Sequence, residues 1–251
     1  MLSTFQDGSG MLVYEDLNLP GWRDFERCVA QVFDGMAVES KAIFDILFPF
    51  DEPHEYGVSC KMRETLAETR RTGRITMELS NSSSKLQAAL ALGGLGNEAE
   101  FRRNPAEAAR ILLQTVREWH LAVPEEIQLE RSSYLSLSRS RRGEYQLHQF
   151  AIELPDAATI RWSFPEVARR DGVARPGRRL QGDASGGKVF EYYYGSGGQL
   201  KYYPSIADAV WESDVFRLES LQGVSPLYDA ETKAAAYFPE KWRLATRVNL
   251  I

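Results

Sequence analysis

The sequence predicts an α/β (α+β) layered domain, a mixed central sheet flanked by helices, with a β-rich C-terminal extension. Three observations carry that expectation. One segment near the N-terminus has apolar residues at helical spacing, several short apolar runs are joined in pairs by turn-forming residues, and composition changes abruptly at Arg169.

The elements follow in order. Residues 1–20 read as an irregular or short-stranded lead-in ending at Leu19-Pro20-Gly21. Trp22, Phe25, Val29, Val32 and Phe33 recur at helical spacing, so Trp22–Phe33 is predicted to be an amphipathic helix closed by Asp34-Gly35. The run KAIFDILFPF, the acidic Pro-containing turn DEPHEY and the run GVSCKMR together read as a β-hairpin. ETLAETRRTG suits a turn of helix closing on Gly73, and RITMELS reads as a strand. Asn81 and Ser82–Ser84 cap a helix through Lys85–Leu92, and Asn104-Pro105 opens another through His120. SSYLSLSRS and EYQLHQFAIEL form a second hairpin across Arg141-Arg142-Gly143. From Arg169 the stretch RRDGVARPGRRLQGDASGGK is rich in Arg and Gly and reads as a long exposed loop or arm. VFEYYYGSGGQLKYY then forms a hairpin, and PSIADAVWES a short capped helix. The domain expectation is a core over 1–168 and an arm-plus-hairpin region over 169–251.

Composition narrows the function classes. The 251 residues are 43% hydrophobic, 26% charged and 11% aromatic, an ordinary globular balance. The longest apolar stretch, Ala42–Phe50, is broken by Asp45 and Pro49 and is far shorter than a membrane span. The N-terminus MLSTFQDGSG lacks the pattern of a secretion signal, so the expected location is cytoplasmic. Two cysteines, Cys28 and Cys60, provide no disulfide framework, and three histidines without a His-x-x-x-His pair argue against a zinc hydrolase. The net charge of −5 is unusual for a protein that grips nucleic acid, but affinity depends on a local stripe of Arg and Lys. Arginines do cluster, at 70–74, 139–142 and 169–179.

The segment that speaks to chemistry is Phe44-Asp45-Ile46 followed, across the turn, by Ser59-Cys60-Lys61. On adjacent antiparallel strands, Asp45 projects from one strand while Ser59 and Lys61, two apart, share a face of the next. The Cys60 carbonyl between them is available to a metal. A carboxylate that holds a divalent cation beside a lysine suits phosphodiester hydrolysis. The cation neutralises phosphate charge, and the lysine orients or deprotonates water and stabilises the charge that develops. A lone Asp followed by S-x-K also occurs in strands with no catalytic role. Here, however, Asp45 lies inside Ala-Ile-Phe-Asp-Ile-Leu-Phe, where a charge is costly unless compensated. The upstream helix adds Phe25-Glu26, one more acid near the strand ends.

This order of residues (a helix with F-E, a strand with a central Asp, a hairpin, a strand ending in x-x-K) resembles the PD-(D/E)-x-K nuclease superfamily. The glutamate in "WRDFERCVAQVF" is similar to that of the methyl-directed restriction branch, and "YGVSCKMR" and "TGRITMELSNSSSK" followed by "SSYLSLSR" resemble type II restriction endonucleases, the resemblance covering roughly residues 20–155. The resemblance implies a restriction-endonuclease-like core over 1–168 and Mg²⁺ as cofactor, with Mn²⁺ as a possible substitute. It assigns Asp45 as metal ligand, Lys61 as catalytic lysine, Ser59 in the position usually held by a second acid, and Glu26 and Cys60 as further metal ligands. Ser59 departs from the pattern because it carries no charge, so another acid is needed. Glu78 is the first choice, ahead of Glu39, Glu64 and Glu68, with Asp51 the fallback if the strand register differs.

A sequence-specific nuclease also needs side chains that reach base edges and phosphates. The candidates for DNA binding are Asn81, Ser83 and Lys85, then Arg139, Arg141 and Arg142, and in the arm Arg175, Arg178 and Arg179. The expected partners are double-stranded DNA and a second copy of the chain, with no membrane. Two other readings keep the scaffold: a repair, junction-resolving or phage-defence nuclease, and a DNA-binding relative without turnover.

Overall fold

Asp24 fixes the start of the first helix: its carboxylate accepts the backbone N–H groups of Gly21 at 2.7 Å and Met11 at 2.9 Å. The Gly21 bond is the return half of a capping box, and the Met11 bond ties the segment ahead of Leu12 to the helix start. In the computed structural model, which describes residues 1–14, 17–38, 43–79, 82–168, 174–195 and 198–219, α1 runs Trp22–Val32. It ends where Asp34 adopts a left-handed conformation, φ 55°. Ahead of it, β1 (Leu12–Tyr14) pairs antiparallel with β2 (Leu17–Leu19).

After α1 come β3 (Met36–Ala37), β4 (Ile46–Asp51) and β5 (His54–Arg63); β4 and β5 form the expected hairpin, but its first strand begins at Ile46, so Asp45 precedes the strand rather than standing at its centre. Next are α2 (Leu66–Thr72), closing on Gly73 at φ 66°, and β6 (Met77–Glu78). The helix α3 (Ser83–Leu92) is capped by Ser82, whose Oγ accepts the Lys85 N–H. It is followed by α4 (Glu98–Arg103) and α5 (Pro105–Leu121), the latter opened by its first-turn proline. The hairpin β7 (Ser133–Arg139) and β8 (Glu144–Ala151) matches the expected pair. The remaining strands are β9 (Arg161–Ser163), β10 (Glu166–Ala168), β11 (Ala174–Pro176), β12 (Arg179–Ala184), β13 (Gly187–Tyr193), β14 (Leu200–Tyr202), β15 (Trp211–Glu212) and β16 (Phe216–Arg217).

The chain divides into two compact units that interleave: 1–66 with 124–151 and 209–251, and 67–123 with 152–208. The sequence reading instead drew a single boundary at residue 168. In the first unit the sheet order is β15-β8-β7-β5-β4-β3, with β16 also on β8. β5 and β7 at its centre are parallel and every other pair is antiparallel, so the central sheet is mixed. Parallel strands need a long crossover, and here the chain builds much of the second unit between β5 and β7. Phe25 and Ala30 of α1 pack with Ile46, Phe48, Val58, Cys60, Leu137 and Tyr145. By strand alternation, Ser59 and Lys61 therefore take the other face.

The second unit has its own sheet, β6-β14-β13-β12-β9, all antiparallel, with α3 and α5 packed together. Its core is aromatic: Phe190 stacks on Tyr202 at 4.8 Å, and Phe101 of α4 lies tilted at 5.8 Å from Tyr192.

Three expectations change. RITMELS pairs only through Met77–Glu78, and with β14 of the second unit rather than with the first hairpin. The stretch read as a loop over 169–188 contains β11 and β12. Leu180 is fully buried there, and Gly182 leaves room for the Trp162 ring, so a few well-placed residues anchor a strand that average composition hid. Residues 169–173 of that stretch lie outside the described residues. PSIADAVWES holds only a 3₁₀ turn, Ile206–Asp208, before β15, because Trp211 and Glu212 add to the edge of β8. Among the described residues, no helix is long and apolar enough to cross a membrane.

Candidate active site

Beyond an irregularity between Pro49 and Asp51, the β4–β5 ladder keeps one register from Pro49–Glu55 to the Ile46–Val58 pair, and the Asp45 N–H still donates to the Val58 carbonyl at 3.0 Å. The chain then bends. Phe44 is buried over Gly57, where any Cβ would enter the Phe44 ring, so only glycine fits. With Phe44 off the ladder, the Cys60 N–H is taken by a side chain instead: Asp45 Oδ2 accepts it at 2.7 Å. The same oxygen accepts from Ser59 Oγ at 3.4 Å and lies 4.0 Å from Lys61 Nζ. Lys61 Nζ donates to Ser59 Oγ at 2.7 Å. Thus Asp45, Ser59 and Lys61 converge through a break in strand pairing.

Burial sets the charges. The Asp45 carboxyl is pushed above its ordinary range by loss of water. The Lys61 ammonium, the Cys60 N–H, the Ser59 hydroxyl and the Arg27 guanidinium pull it back. Glu26 on α1 is pushed up to about 8, first by burial and then by the negative Asp45 beside it, against opposing pulls from Lys61, Arg27 and Arg23. The Cys60 thiol is buried and pushed well above its usual value, so it remains protonated and its sulfur is a poor ligand. Its carbonyl leaves the strand on the same edge as the N–H that binds Asp45, since both groups of a strand residue face one neighbour.

Glu26 therefore carries a stability signature. In the unfolded chain this carboxyl ionises near 4.5, and in the folded protein near 8. Between those values the folded state binds more protons, so stability falls as pH rises from about 4.5 through about 8. Glu26→Gln should flatten that fall and gain on the order of a few kcal/mol at pH 9 relative to pH 5. Denaturant melts of both proteins at the two pH values measure it, and identical slopes would refute the placement of Glu26.

The other expected residues are dispersed. Glu78 stands on β6 in the second unit, where Gln199 Nε2 donates to its Oε2 at 3.2 Å; the acid electrostatically coupled to Asp45 is Glu26. Glu64 is engaged by Arg139 at 2.6 Å and Arg141 at 2.7 Å, Glu68 lies 3.9 Å from Arg71, and Asp51 is an exposed residue at the hairpin turn. Arg139 is buried against Glu64, so it is a structural cation and not a surface one, whereas Arg141 and Arg142 are exposed. Arg179 is half-buried and 3.2 Å from Glu191, and Arg178 is exposed. Ser83 begins α3 half-buried, and Lys85 is exposed with its Nζ 6.0 Å from the centre of the Trp119 ring. Asn81, Glu39 and the Arg175 side chain lie outside the described residues. Sequence reasoning missed Arg27, which is buried next to Glu26 and favours both carboxylates in their charged forms. An arginine directly after Glu26 on an amphipathic helix was the available signal.

Among the described residues, no three His, Cys, Asp or Glu side chains gather into a metal cage. Mg²⁺ does not need one, because it is commonly held by one or two carboxylates together with substrate phosphate and water. Asp45 and Glu26 are both raised by burial, and the charge of Asp45 raises Glu26 further; these are oxygen donors of the kind Mg²⁺ and Mn²⁺ take, and a divalent cation near both would relieve that repulsion. Compared with protein-family models, with curated proteins and with solved structures, the chain gives no match.

Proposed function

We propose that the chain is a Mg²⁺-dependent endonuclease that hydrolyses phosphodiester bonds of double-stranded DNA, with the site-specific cleavage of a type II restriction enzyme. The observation that carries this reading is the convergence of Asp45, Ser59 and Lys61, with Lys61 Nζ 4.0 Å from the Asp45 carboxylate and Glu26 electrostatically joined to it. Asp45 and Glu26 would hold the cation, together with the Cys60 carbonyl, and the cation would supply charge neutralisation at the scissile phosphate. Glu26 thereby takes over the negative charge that Ser59 cannot provide. Ser59 fixes the Lys61 ammonium by a hydrogen bond, leaving its other N–H donors for water and for a phosphate oxygen. Cys60 N–H fixes the Asp45 rotamer, so the carboxylate is oriented before substrate arrives.

Exposed Arg141, Arg142 and Arg178 support phosphate contact, whereas the buried Arg139 is withdrawn from that role. A homodimer is part of this reading, since it would set two such sites about a two-fold axis, one for each strand of a palindrome.

The 2.7 Å Lys61–Ser59 bond also suits a serine nucleophile activated by lysine. Ser59 is only 1% exposed, however, which denies a substrate carbonyl access to its Oγ. The metal-dependent reading is the better fit.

Incubating purified protein with plasmid DNA in Mg²⁺, and in EDTA, tests the proposal. Discrete fragments in Mg²⁺ alone are expected. Cleavage confined to branched or damaged DNA would move the chain to a repair or junction-resolving role. Binding without any cleavage would make it a non-catalytic relative.

A further inference from the structure

The second unit contains a cavity of about 520 Å³, within the size range of small-molecule sites and lined by residues of that unit alone. The backbone around it is tied down. Ile75 N–H donates to the Pro204 carbonyl at 3.0 Å, Ile206 N–H donates to the Gly73 carbonyl at 2.9 Å, and Arg74 forms a β-bridge with Ser205. These links hold the 3₁₀ turn Ile206–Asp208 against the segment that carries Arg74. Ile160, Val189 and Pro204 supply apolar wall.

Two opposite charges line this cavity, Arg74 and Asp208. Arg74 Nη1 donates to the Tyr203 carbonyl at 2.8 Å and Nε to the Gly186 carbonyl at 3.4 Å. Both bonds orient the guanidinium, and three of its five N–H groups remain for a ligand. A Cβ at Gly186 would come within 3.3 Å of Arg74 Nη2, so glycine gives the guanidinium its room. Asp208 is exposed at the cavity. Both charges act on the phenol of Tyr202, which also lines the cavity: burial and then Asp208 push it up to about 12, Arg74 pulls it back, and Glu153 raises it again. The hydroxyl therefore stays protonated.

This pattern selects among ligand classes. A phosphate would meet Asp208 and Glu153 as well as Arg74. An amino-acid zwitterion would match the two charges but must shed water from both of its ends. A neutral planar ring with donors and acceptors at its edges avoids that cost and can lie against the apolar wall. Among the common nucleobases, guanine alone has two acceptors on one edge, N7 and O6, and two donors on the next, N1–H and N2–H. The first edge fits the fork of an arginine, and the second fits a carboxylate.

We propose that this cavity binds a guanine base, with Arg74 donating to N7 and O6 and Asp208 accepting from N1–H and N2–H. It lies in a different unit from Asp45 and Lys61, and the assignment does not rest on the nuclease reading. One chemistry serves two sources of the base, a free guanosine nucleoside or an unpaired guanine in a nucleic acid.

Calorimetric titration of the full chain in EDTA with guanosine, inosine, 7-deazaguanosine and adenosine tests the assignment. Saturable guanosine binding is expected. It should be about tenfold weaker for inosine, which lacks the N2 amine, and for 7-deazaguanosine, which lacks the N7 acceptor, and absent for adenosine. Arg74 is probed through the ligand because substituting it would also remove the bonds to Tyr203 and Gly186. Asp208→Asn, at an exposed position, should weaken guanosine about tenfold and erase its advantage over inosine, with the melting temperature unchanged. No saturable guanosine binding, equal affinity for all four nucleosides, or wild-type guanosine affinity in Asp208→Asn would overturn the proposal. A thymine oligonucleotide carrying one guanine then separates the sources. If it displaces guanosine where the all-thymine strand does not, the base comes from nucleic acid, and if neither strand displaces it, the ligand is the free nucleoside.

Discussion

Lys61→Met is expected to lower DNA cleavage by about 10²–10⁴-fold, the range associated with a positioned acid–base or charge-stabilising group. Methionine preserves much of the stem that packs along β5 and removes only the ammonium. The loss should therefore appear in kcat, with DNA affinity changed no more than a few-fold and thermal stability close to wild type. One further effect is built in: without Lys61, the largest charge that lowers both Asp45 and Glu26 is gone, leaving Arg27 as the cation acting on both. Both carboxyls then move further toward the protonated form, so the residual activity should rise with pH more steeply than in the wild-type protein. Fragment yields from plasmid DNA, measured at several pH values with matched binding curves, read both effects. Wild-type cleavage by this variant would remove lysine from the mechanism.

Asp45→Asn should have a comparable or larger effect for a different reason. The amide oxygen can still accept the Cys60 N–H that now reaches Asp45 Oδ2 at 2.7 Å, so the bend after β4 survives. What disappears is the negative charge. Cleavage should fall by about 10³-fold or more, while DNA binding is retained or slightly strengthened, because one anion near the phosphate is removed. Glu26 reports the same change from the other side: with the neighbouring charge gone, its pKa should drop from about 8 toward its ordinary value, though burial still holds it up. Plasmid nicking at the wild-type rate in Mg²⁺ would show that Asp45 is not a ligand.

The hairpin carrying Asp45, Ser59 and Lys61 was legible because each of its signals is local. Alternation placed Ser59 and Lys61 on one face, and DEPHEY marked the turn. The amphipathic period of Trp22–Val32, the Ser82 cap of α3 and the first-turn proline of α5 were legible for the same reason. What the sequence hid was long-range. Glu78 follows the hairpin closely in the chain, yet β6 joins β14, more than a hundred residues later. The acid electrostatically coupled to Asp45 is Glu26 instead, because α1 packs over β3, β4 and β5. Average composition misled at 179–184, where Leu180 and Gly182 outweigh the surrounding Arg and Gly.

Titration of Mn²⁺ into the wild-type protein and Asp45→Asn, followed by electron paramagnetic resonance with an uncleaved duplex in Ca²⁺-free buffer, addresses the metal site without relying on turnover. One saturable Mn²⁺ site in the wild-type protein, weakened about tenfold or more in the variant, is the expected result. Equal Mn²⁺ affinity in both proteins, or no saturable site in either, would contradict a cation held by Asp45 beside Lys61.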